Sequence, residues 1–199
     1  MAKALDFYFF IGSTYSYLSV FRAESLCAQR GIALNWKPFS VRTIMIEQNN
    51  RPFADKPIKT RYMWRDIERR AVKFGAPFFG APMYPIDQEE LANLVATVAA
   101  TEGWCADFAR ATYETWFVGK RDPGAPGELS AMLERLGKDP VATIATAKHA
   151  DTLQRYKNAT DQARALGIFG SPTFVSGTEV FWGDDRLEDA LDWIEQGVD

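Results

Sequence analysis

The chain has 199 residues, 47% hydrophobic and 25% charged, a balance typical of a globular protein whose core needs no disulfide or metal. Its net charge of -3 supplies no excess of positive charge for a phosphate backbone, so we expect no nucleic-acid partner. The sequence contains no membrane-spanning apolar run and no secretory signal pattern at its N-terminus, so we expect a cytoplasmic protein. The two cysteines, Cys27 and Cys105, form no CxxC pair, which argues against a disulfide framework and a metal site.

The N-terminal segment predicts a strand, a helix and a second strand. Residues 5–11 form a nearly continuous apolar run, typical of a strand that is buried on both faces. Apolar side chains recur at helical spacing over residues 15–30, and Gly31 is suited to end that helix. The alternating segment 32–37 predicts the second strand. Together they form a βαβ unit, for which we expect parallel strands and a right-handed crossover.

The middle of the chain predicts helices only. Asp87, with Glu90 three residues later, has the pattern of a helix N-terminus, and Asp139-Pro140 has the pattern of another. The predicted helices cover residues 61–74, 87–98, 101–117, 127–136, a segment that starts at 139–140, and 149–166.

The C-terminal segment returns to strands. Residues 173–175 and 179–182 flank a short turn and predict a β-hairpin. After a second turn at 183–186, apolar residues at helical spacing predict an amphipathic helix that Gly197 ends.

The order of these elements, βαβ, helices, then ββα, predicts an α/β fold. It is the thioredoxin-like arrangement with an all-helical insertion, because the two groups of strands must meet in one sheet. We expect one domain over residues 1–199, with the thioredoxin core formed by residues 1–42 and 167–199 and the helical insertion by residues 43–166, approximately.

The segment Gly12-Ser13-Thr14-Tyr15-Ser16, between the first strand and the first helix, is the first candidate site. A helix N-terminus favours an anion, including a thiolate. Since no cysteine lies at this junction, the chain cannot exchange a dithiol there, but a hydroxyl could donate a hydrogen bond to a thiolate of a ligand and lower its pKa. The alternative is that Ser13 or Thr14 only caps the helix.

Two further segments could join this site. The loop Gly170-Ser171-Pro172-Thr173-Phe174 faces the first helix in a thioredoxin arrangement, and a cis proline there would expose the preceding backbone to a peptide ligand; an ordinary proline at a strand start is the alternative. In the turn Trp182-Gly183-Asp184-Asp185-Arg186, two carboxylates could bind an ammonium group, or could cap the last helix.

Four blocks in order resemble one enzyme family. The segment 13–18 (STYSYL) resembles its S-P-Y-S-Y-L turn, residues 48–52 with 61–66 resemble its first insertion segment, GIFGSPTF at 167–174 resembles G-V-F-G-V-P-T-F, and FWGDDRL at 181–187 resembles F-W-G-x-D-R-L. The family is that of the 2-hydroxychromene-2-carboxylate isomerases, relatives of the kappa-class glutathione transferases with a DsbA-like fold.

The resemblance implies that glutathione is the cofactor and that Ser13 activates its sulfur. It also implies that Asn50 or Arg51 approaches the far end of the peptide. The residues that it implies for cofactor binding are Thr14, Asn50, Ser171, Pro172, Trp182, Asp184 and Asp185.

Two positions depart from the family pattern. Thr14 replaces a proline, so its hydroxyl could compete with that of Ser13 as the donor. Asp87 replaces an asparagine, and an added negative charge on the substrate side could change which electrophile binds.

The function implied is a glutathione-dependent isomerase of the 2-hydroxychromene-2-carboxylate type, acting on a small aromatic electrophile. A kappa-like glutathione transferase and a non-catalytic thioredoxin-like binding module are the alternatives. The kappa-class relatives also suggest a homodimer.

Overall fold

A four-stranded mixed sheet lies at the centre of the structure, a computed structural model that describes residues 3–50, 53 and 55–197. Its order is β2-β1-β3-β4, with β1 parallel to β2 and antiparallel to β3, and β3 antiparallel to β4. The strands are β1 (Ala4–Phe9), β2 (Ala33–Pro38), β3 (Thr173–Ser176) and β4 (Glu179–Trp182). The sheet therefore joins the two ends of the chain, and the predicted βαβ and hairpin units are both present.

Ten α-helices occur among the described residues. They are α1 (Ser16–Val20), α2 (Ala23–Gln29), α3 (Val41–Glu47), α4 (Pro57–Phe74), α5 (Leu91–Glu102), α6 (Cys105–Tyr113), α7 (Pro126–Arg135), α8 (Pro140–Lys148), α9 (Ala150–Ala165) and α10 (Leu187–Gln196). Every regular element described between β2 and β3 is helical, which confirms the predicted fold class. The residue limits of the core and the insertion stay a proposal.

The strand β1 is buried on both faces, as the apolar run predicts. Leu5, Phe7 and Phe9 belong to the large core cluster that the helical insertion shares, whereas Tyr8 and Phe10 belong to a smaller cluster on the other face. Alternate side chains of a strand point to opposite faces, so a central strand covered on both sides needs an unbroken apolar sequence.

The single helix predicted over residues 15–30 is wrong, because the chain forms α1 and α2 with a break at Arg22. The guanidinium of Arg22 donates to the carbonyl of Asp184, pairs with Glu188 and lies 3.8 Å from the ring centroid of Phe74. These contacts with distant residues override a regular local periodicity. The helix that follows Ser13 therefore has only five residues.

Two helix starts in the insertion are also wrong. Asp87 does not begin a helix, because it and Glu90 have positive φ angles of 44° and 57°, and α5 starts at Leu91. The helix predicted from residue 101 starts at Cys105, because Gly103, at φ 81°, ends α5 first. The predicted start at Asp139-Pro140 is confirmed, since the Asp139 carboxylate accepts from two N–H groups of the first turn of α8.

Replacing Phe7 by alanine should lower the free energy of unfolding by about 3–5 kcal/mol. The side chain is fully buried, and its ring centroid lies 5.0 Å from that of Phe174 and 5.1 Å from that of Trp36. Chemical denaturation measures the change. Phe79→Ala is the matched control, because Phe79 is 68% exposed, and it should cost less than about 0.5 kcal/mol. Equal losses in the two variants would contradict the central position of β1.

Candidate functional site

The turn after β1 is held by side chains of the helical insertion. The amide of Asn93 in α5 pairs with the Ile11 peptide: its Oδ1 accepts from the Ile11 N–H at 2.8 Å, and its Nδ2 donates to the Ile11 carbonyl at 2.9 Å. The hydroxyl of Tyr113 lies 3.0 Å from the Phe10 carbonyl oxygen and 3.1 Å from that of Ser13. These four polar groups of the turn are thus satisfied by side chains that the protein buries, which fixes the path of the backbone into Ser13.

Gly12 can adopt this path because it lacks a side chain. Its φ angle is 125°, a conformation that L side chains rarely adopt, and an added Cβ would lie 2.7 Å from the ring of Phe10. The sequence between the first strand and the first helix therefore requires glycine immediately before the candidate serine.

The Ser13 hydroxyl faces the second candidate segment. Its Oγ donates to the Ser171 carbonyl oxygen at 2.6 Å, and it accepts from the Ser16 N–H at 3.4 Å. The hydroxyls of Ser16 and Ser171 are 2.9 Å apart. The structure thus brings together two segments that are 158 residues apart in the chain. Ser13 also contacts the first turn of α1, although Tyr15 is the N-cap residue and no side chain caps it.

The Ser171-Pro172 peptide bond is cis. The Ser171 carbonyl accepts from the Ser13 hydroxyl, and among the described residues nothing accepts a hydrogen bond from the Ser171 N–H. A neighbouring donor and acceptor on a half-buried backbone segment are the groups with which an extended peptide pairs. This edge can therefore bind a peptide backbone.

The third segment joins the same site through the backbone. The Gly183 N–H donates to the Pro172 carbonyl at 3.0 Å. Trp182, which is 53% exposed, packs on Phe169, which is 42% exposed, with ring centroids 4.7 Å apart. Gly170 makes this possible, because a Cβ there would lie 2.1 Å from Trp182 Nε1. An exposed pair of aromatic rings therefore flanks the Ser171 loop.

The two acids of this segment have different environments. Asp184 is buried, and its Oδ2 accepts from Arg70 Nε at 2.8 Å and lies 2.7 Å from Arg70 Nη2. Burial raises the pKa of Asp184 to about 6, although the Arg70 charge acts in the opposite direction. The side chain of Asp185 is exposed and lies 3.4 Å from Arg186. Neither acid caps α10, and only Asp185 offers its carboxylate at the surface.

Three other predicted positions do not join the site formed by Ser13 and Ser171 in the described residues. Thr14 is buried and its hydroxyl donates to the Met63 sulfur at 3.2 Å, so it faces the core rather than Ser171. Asn50 is exposed at the end of α3, and no hydrogen bond of the described residues joins it to the Ser13 turn. Arg51 lies outside the described residues.

Asp87 offers no charge at the surface, and its expected effect on which electrophile binds stays a prediction. It is buried, and its carboxylate accepts hydrogen bonds from the N–H groups of Ala92 and Asn93 and from the Asn93 side chain. Asn93 itself was not predicted as a site residue. An amide side chain in the mostly apolar segment 91–100 is a signal that could have found it, because buried amides need partners.

Neither a metal-binding cluster nor a membrane-spanning helix occurs in the described residues. Residues 3–50, 53 and 55–197 contain no group of three or more His, Cys, Asp or Glu side chains that could hold a metal ion. In the same ranges, no helix has both the length and the apolar character that crossing a bilayer requires.

Comparisons with known proteins agree with this geometry. The family model for the DSBA-like thioredoxin domain matches residues 4–195. A 2-hydroxychromene-2-carboxylate isomerase of Sphingobium xenophagum is 29% identical over 192 residues, which cover 94% of this chain and 96% of that protein. Glutathione S-transferase kappa 1 of Caenorhabditis elegans is 25% identical over 215 residues, which cover 96% of this chain and 91% of that protein.

A solved structure of a 2-hydroxychromene-2-carboxylate isomerase has the same fold, with a TM-score of 0.86 at 24% sequence identity over 97% of this chain and 95% of that one. The resemblance found in the sequence motifs is thereby confirmed, and so is the prediction of an enzyme, since the matched relatives of both names are enzymes. The chain belongs to the family of DSBA-like thioredoxin domains.

Proposed function

We propose that the protein is a glutathione-dependent isomerase of the 2-hydroxychromene-2-carboxylate type that acts on a small aromatic electrophile. The observation that carries the proposal is the 2.6 Å contact between Ser13 Oγ and the Ser171 carbonyl oxygen. It puts a hydroxyl donor beside a backbone edge with which the backbone of a thiol-containing peptide can pair. The names of the relatives at 29% and 25% identity support the reaction and the cofactor.

The residues present fit glutathione. The free N–H and the carbonyl of Ser171 would pair with its cysteinyl backbone, Ser13 would contact its sulfur, and Asp185 would contact its ammonium group. Pro172 and Trp182 would form the wall of the site. Asp184 would lie beneath the glutathione site without contacting the ammonium group, because it is buried and paired with Arg70. Contacts of Thr14 and Asn50 with glutathione stay predictions, and the structure adds no support for them.

Glutathione, when bound, would supply a thiolate nucleophile. The protein's own thiols cannot take that part, because both are buried. Burial raises the pKa of Cys27 to about 11 and raises the pKa of Cys105 as well. A nucleophilic sulfur at this site must therefore come from a ligand.

Ser13 would keep that sulfur ionised. Its one proton is directed to the Ser171 carbonyl in this structure, and a rotation of the hydroxyl about the Cβ–Oγ bond would redirect it to a thiolate beside that carbonyl. Hydrogen bonding to the charged form lowers the pKa of a thiol. Because α1 has only five residues, its dipole is weak. The Ser13 hydroxyl would therefore contribute more to stabilising the thiolate than it would at the start of a long helix.

The aromatic pair Phe169 and Trp182 supports an aromatic substrate. Exposed rings of this size offer a planar apolar surface next to Ser171, and aromatic rings pack on such surfaces in offset or edge-to-face geometry. Holding the electrophile there, beside the sulfur, would convert a reaction between two molecules into one within a complex.

Two other functions are distinguished by simple measurements. A kappa-like transferase would have the same site and would release the glutathione adduct as product. A non-catalytic binding module would bind no glutathione, or would bind it without turning over a hydroxychromene carboxylate, which calorimetry and ultraviolet spectra would reveal. The cytoplasmic location and the homodimer remain predictions.

Ser13→Ala should lower kcat by about 100-fold or more, because it removes the donor to the thiolate. Glutathione affinity, measured by calorimetry, should change little, since the Ser171 backbone remains. The rate should also rise to its plateau at a higher pH than in the wild type, because the pKa of the bound thiol is no longer lowered.

Ser19→Ala is the matched control. Ser19 lies in α1, and its hydroxyl is buried without a hydrogen-bond partner among the described residues. Its rate and pH profile should match the wild type. Thr14→Val should also keep most of the activity, because the Thr14 hydroxyl faces Met63. Unchanged turnover of Ser13→Ala would reject Ser13 as the activating residue.

The total of free glutathione should stay constant while many equivalents of substrate are converted. An isomerase regenerates its cofactor, whereas a transferase consumes one glutathione for each product. Titration of free thiol and mass spectrometry of the product measure this balance. Stoichiometric loss of thiol would show a transferase instead of an isomerase. The proposed glutathione site would still stand.

A further inference from the structure

We propose that Asp87 is a positioning residue that acts through Asn93 to fix the turn carrying Ser13. The inference rests on the proposed role of Ser13 and adds a residue that lies in a different element and touches neither the sulfur nor the substrate. A chain of hydrogen bonds carries it, running from the Asp87 carboxylate to the Asn93 amide and from there to the Ile11 peptide.

The first step is that Asn93 behaves as a strand neighbour of Ile11. Its Oδ1 and Nδ2 pair with the N–H and the carbonyl of one residue, just where β1 ends at Phe9. The side chain is fully buried in α5. If its amide were rotated by 180°, Nδ2 would meet the Ile11 N–H and Oδ1 would meet the carbonyl, and both pairs would be lost. Only one of the two orientations of the Asn93 amide therefore forms both hydrogen bonds to Ile11.

The second step is that Asp87 selects that orientation. Its Oδ2 accepts the remaining hydrogen of Asn93 Nδ2 at 2.8 Å and the Asn93 backbone N–H at 3.2 Å. A carboxylate oxygen can accept hydrogen bonds and cannot donate them, so it rejects the rotated amide. Its Oδ1 accepts the Ala92 N–H at 3.1 Å.

The third step is that Asp87 cannot move away. Its own N–H donates to both oxygens of Asp122, at 3.0 and 3.1 Å, and Arg42 donates to its carbonyl at 3.1 Å. Gly124 lies so close that a Cβ there would be 2.3 Å from Asp87 Oδ1. Asp87 is therefore held from three sides, because α5 binds its carboxylate while Arg42 of α3 and Asp122 bind its backbone.

The charged groups around Asp87 set how it titrates. Asp122 lies on the loop before α7, Glu90 follows on the same segment, Arg42 faces it from α3, and Tyr156 faces it from α9. The Arg42 guanidinium donates to the backbone of Asp87 and pairs with Glu90, so the Asp87 carboxylate is held by N–H groups. Burial raises its pKa to about 6, and those N–H groups oppose the rise.

The direction of the pH effect follows from the acceptor count. Above its pKa the carboxylate can accept all three N–H groups, whereas the protonated form carries a hydrogen on one oxygen and leaves a donor without a partner. All three contacts should therefore form above pH 7, and one of them should be lost as the pH falls through about 6, in line with the raised pKa.

The test follows the Asn93 side-chain amide and the Ile11 N–H by NMR in the protein without glutathione. In the wild type, the Asn93 amide resonances should shift with a midpoint near the pKa of about 6. Asp87→Ala should speed hydrogen exchange of the Ile11 N–H by about tenfold or more and lower kcat at pH 8 by a similar factor. Glu89→Ala, at an exposed neighbouring position, is the matched control and should do neither.

Asp87→Asn should rescue most of the loss. Its side-chain oxygen can still accept from Asn93, so exchange of the Ile11 N–H and kcat at pH 8 should stay within about threefold of the wild type. The group no longer ionises, so the shift of the Asn93 resonances near pH 6 should disappear. This variant also carries the test if Asp87→Ala fails to fold.

Three results would overturn the inference: an unchanged Ile11 exchange rate in Asp87→Ala, faster exchange with unchanged kcat, or an Asn93 titration that persists in Asp87→Asn. The exchange and the titration need no cofactor, so they do not depend on the function of Ser13. If Ser13→Ala kept full turnover while these NMR results held, the proposed function would fail and the hold of Asp87 on the turn would stand.

Discussion

The hydrogen bond from the Ser13 hydroxyl to the Ser171 carbonyl, with the contact of the Ser16 and Ser171 hydroxyls beside it, joins the first two segments of the candidate site. It exists because β1 and β3 pair in the middle of the sheet, so that the residues after the first strand and before the third lie side by side. A redox thioredoxin would have a cysteine at this place. A hydroxyl beside an exposed peptide edge instead suits a protein that receives its sulfur from a ligand.

The helical insertion holds two of the candidate-site segments in place. From α5 and α6, Asn93 and Tyr113 bond to the backbone on both sides of Gly12, and from α4 Arg70 holds Asp184 under the third turn. Each contact satisfies a polar group in a buried place, where an unpaired group would cost about 1–3 kcal/mol. The turn that carries Ser13 is therefore as rigid as the insertion that packs on it, although the candidate site itself lies in the thioredoxin core.

The fold and the three site segments could be predicted because their signals are local. An apolar run predicts β1, a turn predicts the hairpin, and a hydroxyl replaces the cysteine at a known junction. What could not be predicted depends on distant partners. Arg22 breaks a regular helix to reach Asp184 and Phe74, and Arg70, which is 114 residues away from Asp184, turns a presumed surface acid into a buried ion pair. Local periodicity contains no information on either contact.

A crystal structure of the protein with glutathione tests the central claim most directly. The account predicts that the tripeptide pairs with the Ser171 backbone and that its sulfur lies within hydrogen-bond distance of Ser13 Oγ, closer than to any other hydroxyl. A sulfur bound to another group, or a tripeptide bound away from the turn after β1, would contradict it.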